Sequence, residues 1–111
     1  LKRVGGKPAI YREMLRKFQE QTMPLMDLLT IAIESGDDEE ALRLLHGLRG
    51  SSSNLSANRV FAAATELDEH LKTQSSSHIE DRDRAVRYEM LQTLKHELSN
   101  VFLTIQNLLL D

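Results

Sequence analysis

The sequence predicts an all-α protein: an antiparallel four-helix bundle with an additional short N-terminal helix laid over one end. Three observations carry this. Apolar residues recur at spacings of three and four along every long segment, and no stretch alternates strictly enough to mark a strand. The 41% apolar content is dominated by Leu, Ile, Ala and Met, with no Trp, three Phe and two Tyr, a composition suited to helix packing. The segments are separated by helix breakers and caps at Pro24, Gly36 and the serine-rich stretches near residues 51–56 and 75–77.

Taken in order, residues 1–7 form a lead-in with Gly5-Gly6 as its flexible point, and residues 8–111 form a single domain. Pro8 suits a first helical position, and Ile10, Met14, Leu15 and Phe18 follow at helical spacing. Pro24 predicts a boundary or kink near residues 21–23. The next helix turns Leu25, Leu28, Leu29, Ala32 and Ile33 inward and stops at Gly36. Asp37 with Glu40 reads as a capping box opening a helix whose buried stripe is Ala41, Leu44, Leu45, Leu48, Ser52 and Leu55. A further helix, to about Lys72, buries Val60, Ala63, Ala64, Leu67 and Leu71. Residues 73–77 read as a polar loop, with Ser77 and Glu80 as a second capping box. The last helix carries a seam of Leu91, Leu94, Leu98, Val101, Ile105 and Leu108, and Leu108 to Leu110 read as the last turn of the core.

Composition narrows the function. A net charge of −3 with no basic stripe argues against nucleic acid. No apolar run reaches the ~20 residues of a membrane span, so no direct membrane contact is expected. Cys is absent, which excludes disulfides and thiolate metal sites. No extra apolar stripe demands a dimer, so a monomer is expected. A first residue of Leu rather than Met suggests a piece of something longer.

The stretch from Ala41 to Ala57 carries the chemistry. His46 lies one step around from buried Leu45 and points to solvent, with Arg49, Gly50 and Ser53 on its face. Gly47 and Gly50 each cost a helix about 1 kcal/mol against Ala, and stability gives no reason for them; close approach of another macromolecule to His46 does. Neutral imidazole is a nucleophile near pH 7, its reference pKa being about 6.5. A nearby cation disfavours its protonation and stabilises negative charge on a group transferred to it; Arg49 is the candidate. Leu42, Arg43, Arg49, Gly50 and Ser53 flank His46 as candidate docking residues, Leu42 offering exposed apolar contact.

His46-Gly47-Leu48-Arg49-Gly50, followed by Ser53-Asn54-Leu55-Ser56-Ala57, resembles the signature of histidine phosphotransfer (HPt) domains. Val4-Gly5-Gly6 with Ile10, Tyr11, Leu15 and Phe18 resembles the family's lead-in, and Ser35-Gly36-Asp37 resembles its turn before the His helix. Two positions depart: Leu45 stands where the family usually has Ala, and Ser56 where it usually has Gly. The resemblance implies a phosphorelay intermediate. A receiver-domain aspartyl phosphate would donate to His46, which would pass the phosphoryl group to another receiver aspartate. It also implies that the receiver supplies Mg²⁺, so that this domain needs no cofactor. The setting implied is cytoplasmic, most simply within a hybrid sensor kinase.

Rival readings are weaker. Lys95-His96-Glu97-Leu98-Ser99-Asn100 loosely resembles a sensor-kinase phosphoacceptor box, but Val101 replaces its Pro and no second long helix follows, so His96 reads as a bundle-edge histidine. No ATP-binding region is present, and no autonomous kinase activity is expected. No Glu-x-x-His pair exists, which removes a di-metal bundle; His70 with Glu66 reads as a surface pair. The alternative from another class is a non-catalytic HPt-like adaptor that binds receivers or other partners without carrying phosphate.

Overall fold

The structure, a computed structural model, describes residues 8–55, 57–73 and 81–110. Four helices follow in order: α1 (Pro8–Ser35), α2 (Asp38–Asn54), α3 (Asn58–Thr73) and α4 (Asp81–Leu110), with no strand among the described residues. Each helix packs along the next, and α1 closes the ring against α4. The directions alternate. Arg12, near the start of α1, donates from Nη1 to the Leu109 carbonyl near the end of α4 at 3.0 Å. Arg59, at the start of α3, lies 4.0 Å from Glu97 in the second half of α4. This is the antiparallel four-helix bundle read from the sequence.

The expected short N-terminal helix is not separate: α1 runs unbroken for 28 residues with Pro24 inside it. Packing explains the correction. Leu15, Phe18, Thr22, Met26, Leu29 and Ala32 are all buried, and their spacings of three and four stay in phase across Pro24. Pro24 and Glu20 both lie on the exposed side, so the Glu20 carbonyl that loses its donor faces water rather than the core. The inward arc is also narrower than predicted. Met26 takes a core position, while Leu28 is 51% exposed.

The turn into α2 is fixed by backbone geometry. Gly36 adopts φ +77°, the Asp37 N–H reaches the Ala32 carbonyl at 2.8 Å, and the Gly36 N–H reaches Ile33 at 3.2 Å. Those two bonds make a Schellman ending, which favours glycine at the left-handed position. Asp37 then caps α2 by accepting from the Glu40 N–H at 3.2 Å. Only half of the predicted capping box forms, because the Glu40 side chain turns to Arg43 instead.

The core joins all four helices, with Leu29, Leu45, Leu48, Val60, Leu67 and Leu94 wholly hidden from solvent. All five predicted core residues of α3 are buried, as are Leu91, Leu94, Leu98 and Ile105 of α4. Val101 is half-buried. Leu108 is 36% exposed, which corrects its place in the core: α1 and α4, at 28 and 30 residues, outrun α2 and α3 at 17 and 16. Leu108 therefore lines an open groove with Tyr11 and Leu55. Thr73 closes α3 instead of opening a loop. The lead-in at residues 1–7, Ser56, the polar stretch at 74–77 and the Ser77–Glu80 cap lie outside the described residues.

An ion pair ties α2 to α4. Arg87 donates to both carboxylate oxygens of Asp38, at 2.9 and 3.2 Å, and the two side chains are only 3% and 15% exposed. Asp38 accepts two charge-assisted hydrogen bonds from a buried guanidinium, and losing them costs stability. Asp38→Ala should therefore lower the unfolding free energy by about 2 kcal/mol, read by urea denaturation. A loss under about 1 kcal/mol would class the pair with surface bridges.

Candidate functional site

The rotation of α2 about its axis decides what this helix shows to solvent. Ala41, Leu44, Leu45, Leu48 and Ser52 are buried on one side, and the Ser52 hydroxyl, inside the bundle, donates to the Leu48 carbonyl at 2.7 Å. His46, Gly47, Gly50, Ser53 and Arg43 are thereby exposed. His46 forms no hydrogen bond or ion pair with the described residues. Leu45, the departure beneath it, is fully buried and belongs to the core; the larger side chain is absorbed by packing.

The surface beside the imidazole is open. A Cβ added at Gly47 or Gly50 would meet nothing within 4 Å, so nothing inside the protein requires glycine at either position. Ser51 folds its hydroxyl back onto the Gly47 and Leu48 carbonyls, both at 3.2 Å, and adds no bulk outward. The helix ends where the small residues do. The Ala57 N–H reaches back to the Ser52 carbonyl at 2.8 Å, and the Ala57 carbonyl accepts from Phe61 to open α3.

The cations of this face are committed differently. Arg43 donates from Nε and Nη2 to both oxygens of Glu40, at 2.8 and 2.6 Å. Hydrogen bonding from Arg43 holds the Glu40 carboxyl below its ordinary value, and the same bond raises Arg43 above its own. Arg49 does not stand free beside His46, as the single-helix reading implied. It turns to α3, where Nη1 lies 3.3 Å from Asp68 Oδ2 and the guanidinium stands 5.4 Å from the centre of the Phe61 ring. Its side chain is 29% exposed, and that of Asp68 only 4%. Leu42, expected to be exposed, is half-buried and packed against the core. It lies two turns before Arg49 on the same edge of α2.

Sequence reasoning missed Asp68, Phe61 and Lys72, the last with Nζ 3.0 Å from Asp68 Oδ2. The available signal was an Asp set between the core positions Leu67 and Leu71. Of the remaining histidines, His96 is exposed on α4. His70 does not form the surface pair expected with Glu66. Its ring is turned inward, with Nε2 buried and unpartnered among the described residues. No group of three or more possible metal ligands occurs among those residues, and none of their helices is long and apolar enough to cross a membrane.

The family model of the Hpt domain matches residues 13–104, and the chain belongs to that family, whose role in phosphorelays is phosphotransfer. A search of curated proteins and of solved structures finds no match.

The open surface at Gly50 yields a direct expectation. Gly50→Glu adds bulk and negative charge one turn from His46 while raising helix propensity, so it should block phosphotransfer and leave the far-ultraviolet dichroism unchanged. Wild-type transfer rates in this variant would mean that a partner does not approach over this face.

Proposed function

We propose that this domain is a phosphorelay intermediate. It takes a phosphoryl group from the aspartyl phosphate of one receiver domain on His46 and gives it to the aspartate of another. The observation that carries the reading is the conjunction at His46 of an exposed, unbonded imidazole with open surface over Gly47 and Gly50. In the forward step a ring nitrogen attacks phosphorus with its lone pair. The P–N bond forms as the P–O bond to the receiver aspartate breaks, and the electron pair leaves with the carboxylate. In the return step a second carboxylate attacks phosphorus, and the P–N electrons go back to the ring.

Arg49 offers positive charge to the phosphoryl oxygens. Arg43, neutralised by Glu40, serves docking together with Gly50, Ser53 and the apolar edge at Leu42. The receiver brings the Mg²⁺, and this domain needs no cofactor. The same reading puts the domain in the cytoplasm as a monomer, within a hybrid sensor kinase.

Incubation with a phosphorylated receiver should place acid-labile, base-stable phosphate on the wild-type chain. His46→Gln should carry none while His96→Gln labels normally; the reverse pattern would move the acceptor to His96, and an unlabelled wild type would favour an adaptor. Arg49→Lys keeps the charge and should retain most of the rate. Arg49→Ala should slow transfer at saturating receiver by roughly ten- to a hundredfold, about 1.4–2.8 kcal/mol of barrier. A change confined to the half-saturating concentration would instead make Arg49 a binding residue.

A further inference from the structure

We infer that Asp68 is a positioning residue for phosphotransfer, acting through Arg49; the inference rests on the role proposed above for Arg49. Two contacts hold the guanidinium. Asp68 Oδ2 accepts from Nη1 at 3.3 Å, and the Phe61 ring lies 5.4 Å away; Nε is buried with no hydrogen-bond partner among the described residues. A long side chain on a helix surface ordinarily samples many rotamers. This one is fixed along the α3 edge one turn from His46, its inner edge against the protein. Nη2 is left as the edge able to meet a second anion.

Charge balance favours the same role. An isolated Arg49–Asp68 pair would cancel its own field and offer little to an arriving phosphoryl group. Lys72 shares the same carboxylate oxygen at 3.0 Å, so one buried anion is held between two cations and the trio keeps a net positive charge. Asp68 is 3% exposed and lies behind the guanidinium, so the cationic members face outward. Arg43 offers the contrast, with Nε and Nη2 donating to the two oxygens of a single carboxylate, so that its charge is matched one to one.

The test is a double-mutant cycle on the full chain, using Asp68→Asn, Arg49→Ala and their combination. Transfer from a phosphorylated receiver is measured at saturating concentration, with thermal melts alongside. Asp68→Asn should slow transfer by roughly three- to tenfold in the wild-type background, less than Arg49→Ala, and add nothing once Arg49 is gone. The Arg49 Nε–H should exchange slowly with water in the wild type and quickly in Asp68→Asn, a readout independent of activity. Equal slowing in both backgrounds would show a merely structural role and overturn the inference. A wild-type rate in Asp68→Asn, with Arg49→Ala still slow, would overturn it while leaving the Arg49 reading intact. A wild-type rate in Arg49→Ala would remove both.

Discussion

The angular setting of α2 is the constraint on which the rest of the site depends. Leu45 and Leu48 are wholly buried on either side of His46 in sequence, and a helix places neighbours 100° apart. Burying those two leucines in the bundle core therefore turns the imidazole out. A change of register by one residue would bury His46 and expose Leu45, at a cost of about 2 kcal/mol or more in lost apolar burial alone. The imidazole is held outward by the hydrophobic effect acting on its neighbours, and this leaves it exposed.

The electrostatic part of the site uses the second packed layer. Asp68 lies next to Leu67, in the face of α3 that meets α2, and the antiparallel pairing brings it level with Arg49. A carboxylate only 3% exposed is tolerable because two cations face it. The same arrangement stops Arg49 from folding onto the open surface over Gly50. Bulk is excluded there twice, by the glycines and by the tether that holds the nearest long side chain at the α3 edge.

These two layers differ in how legible they were. The α2 stripe, the outward His46 and the α3 core could be read from helical spacing, because each is a property of one helix and burial follows periodicity closely. Pro24 misled because a local propensity was weighed without the stripe that continues in phase through it; packing on both sides outweighed one missing hydrogen bond. The outward position of Leu108 follows from unequal helix lengths, which become visible only once α1 proves to be continuous. The place of Asp68 beside Arg49 was invisible in the sequence. Its meaning depends on which residue of α2 lies opposite, nineteen positions away, and no single-helix pattern contains that pairing.

The lack of any hydrogen bond from the described residues to His46 bears on the relay proposed above. Where a triad histidine is oriented by a fixed acceptor, one tautomer is selected before the substrate arrives. Here the described residues provide no such acceptor, so in the proposed relay the docked receiver would orient the ring and would also supply the leaving or attacking carboxylate. A site of that kind would have no intrinsic preference between loading and unloading. The same exposed ring, tethered guanidinium and open glycine surface would serve both steps, and net flow would then be set by the receivers. What the bundle itself fixes is the exposure of the imidazole and the tether that holds Arg49 at the α3 edge.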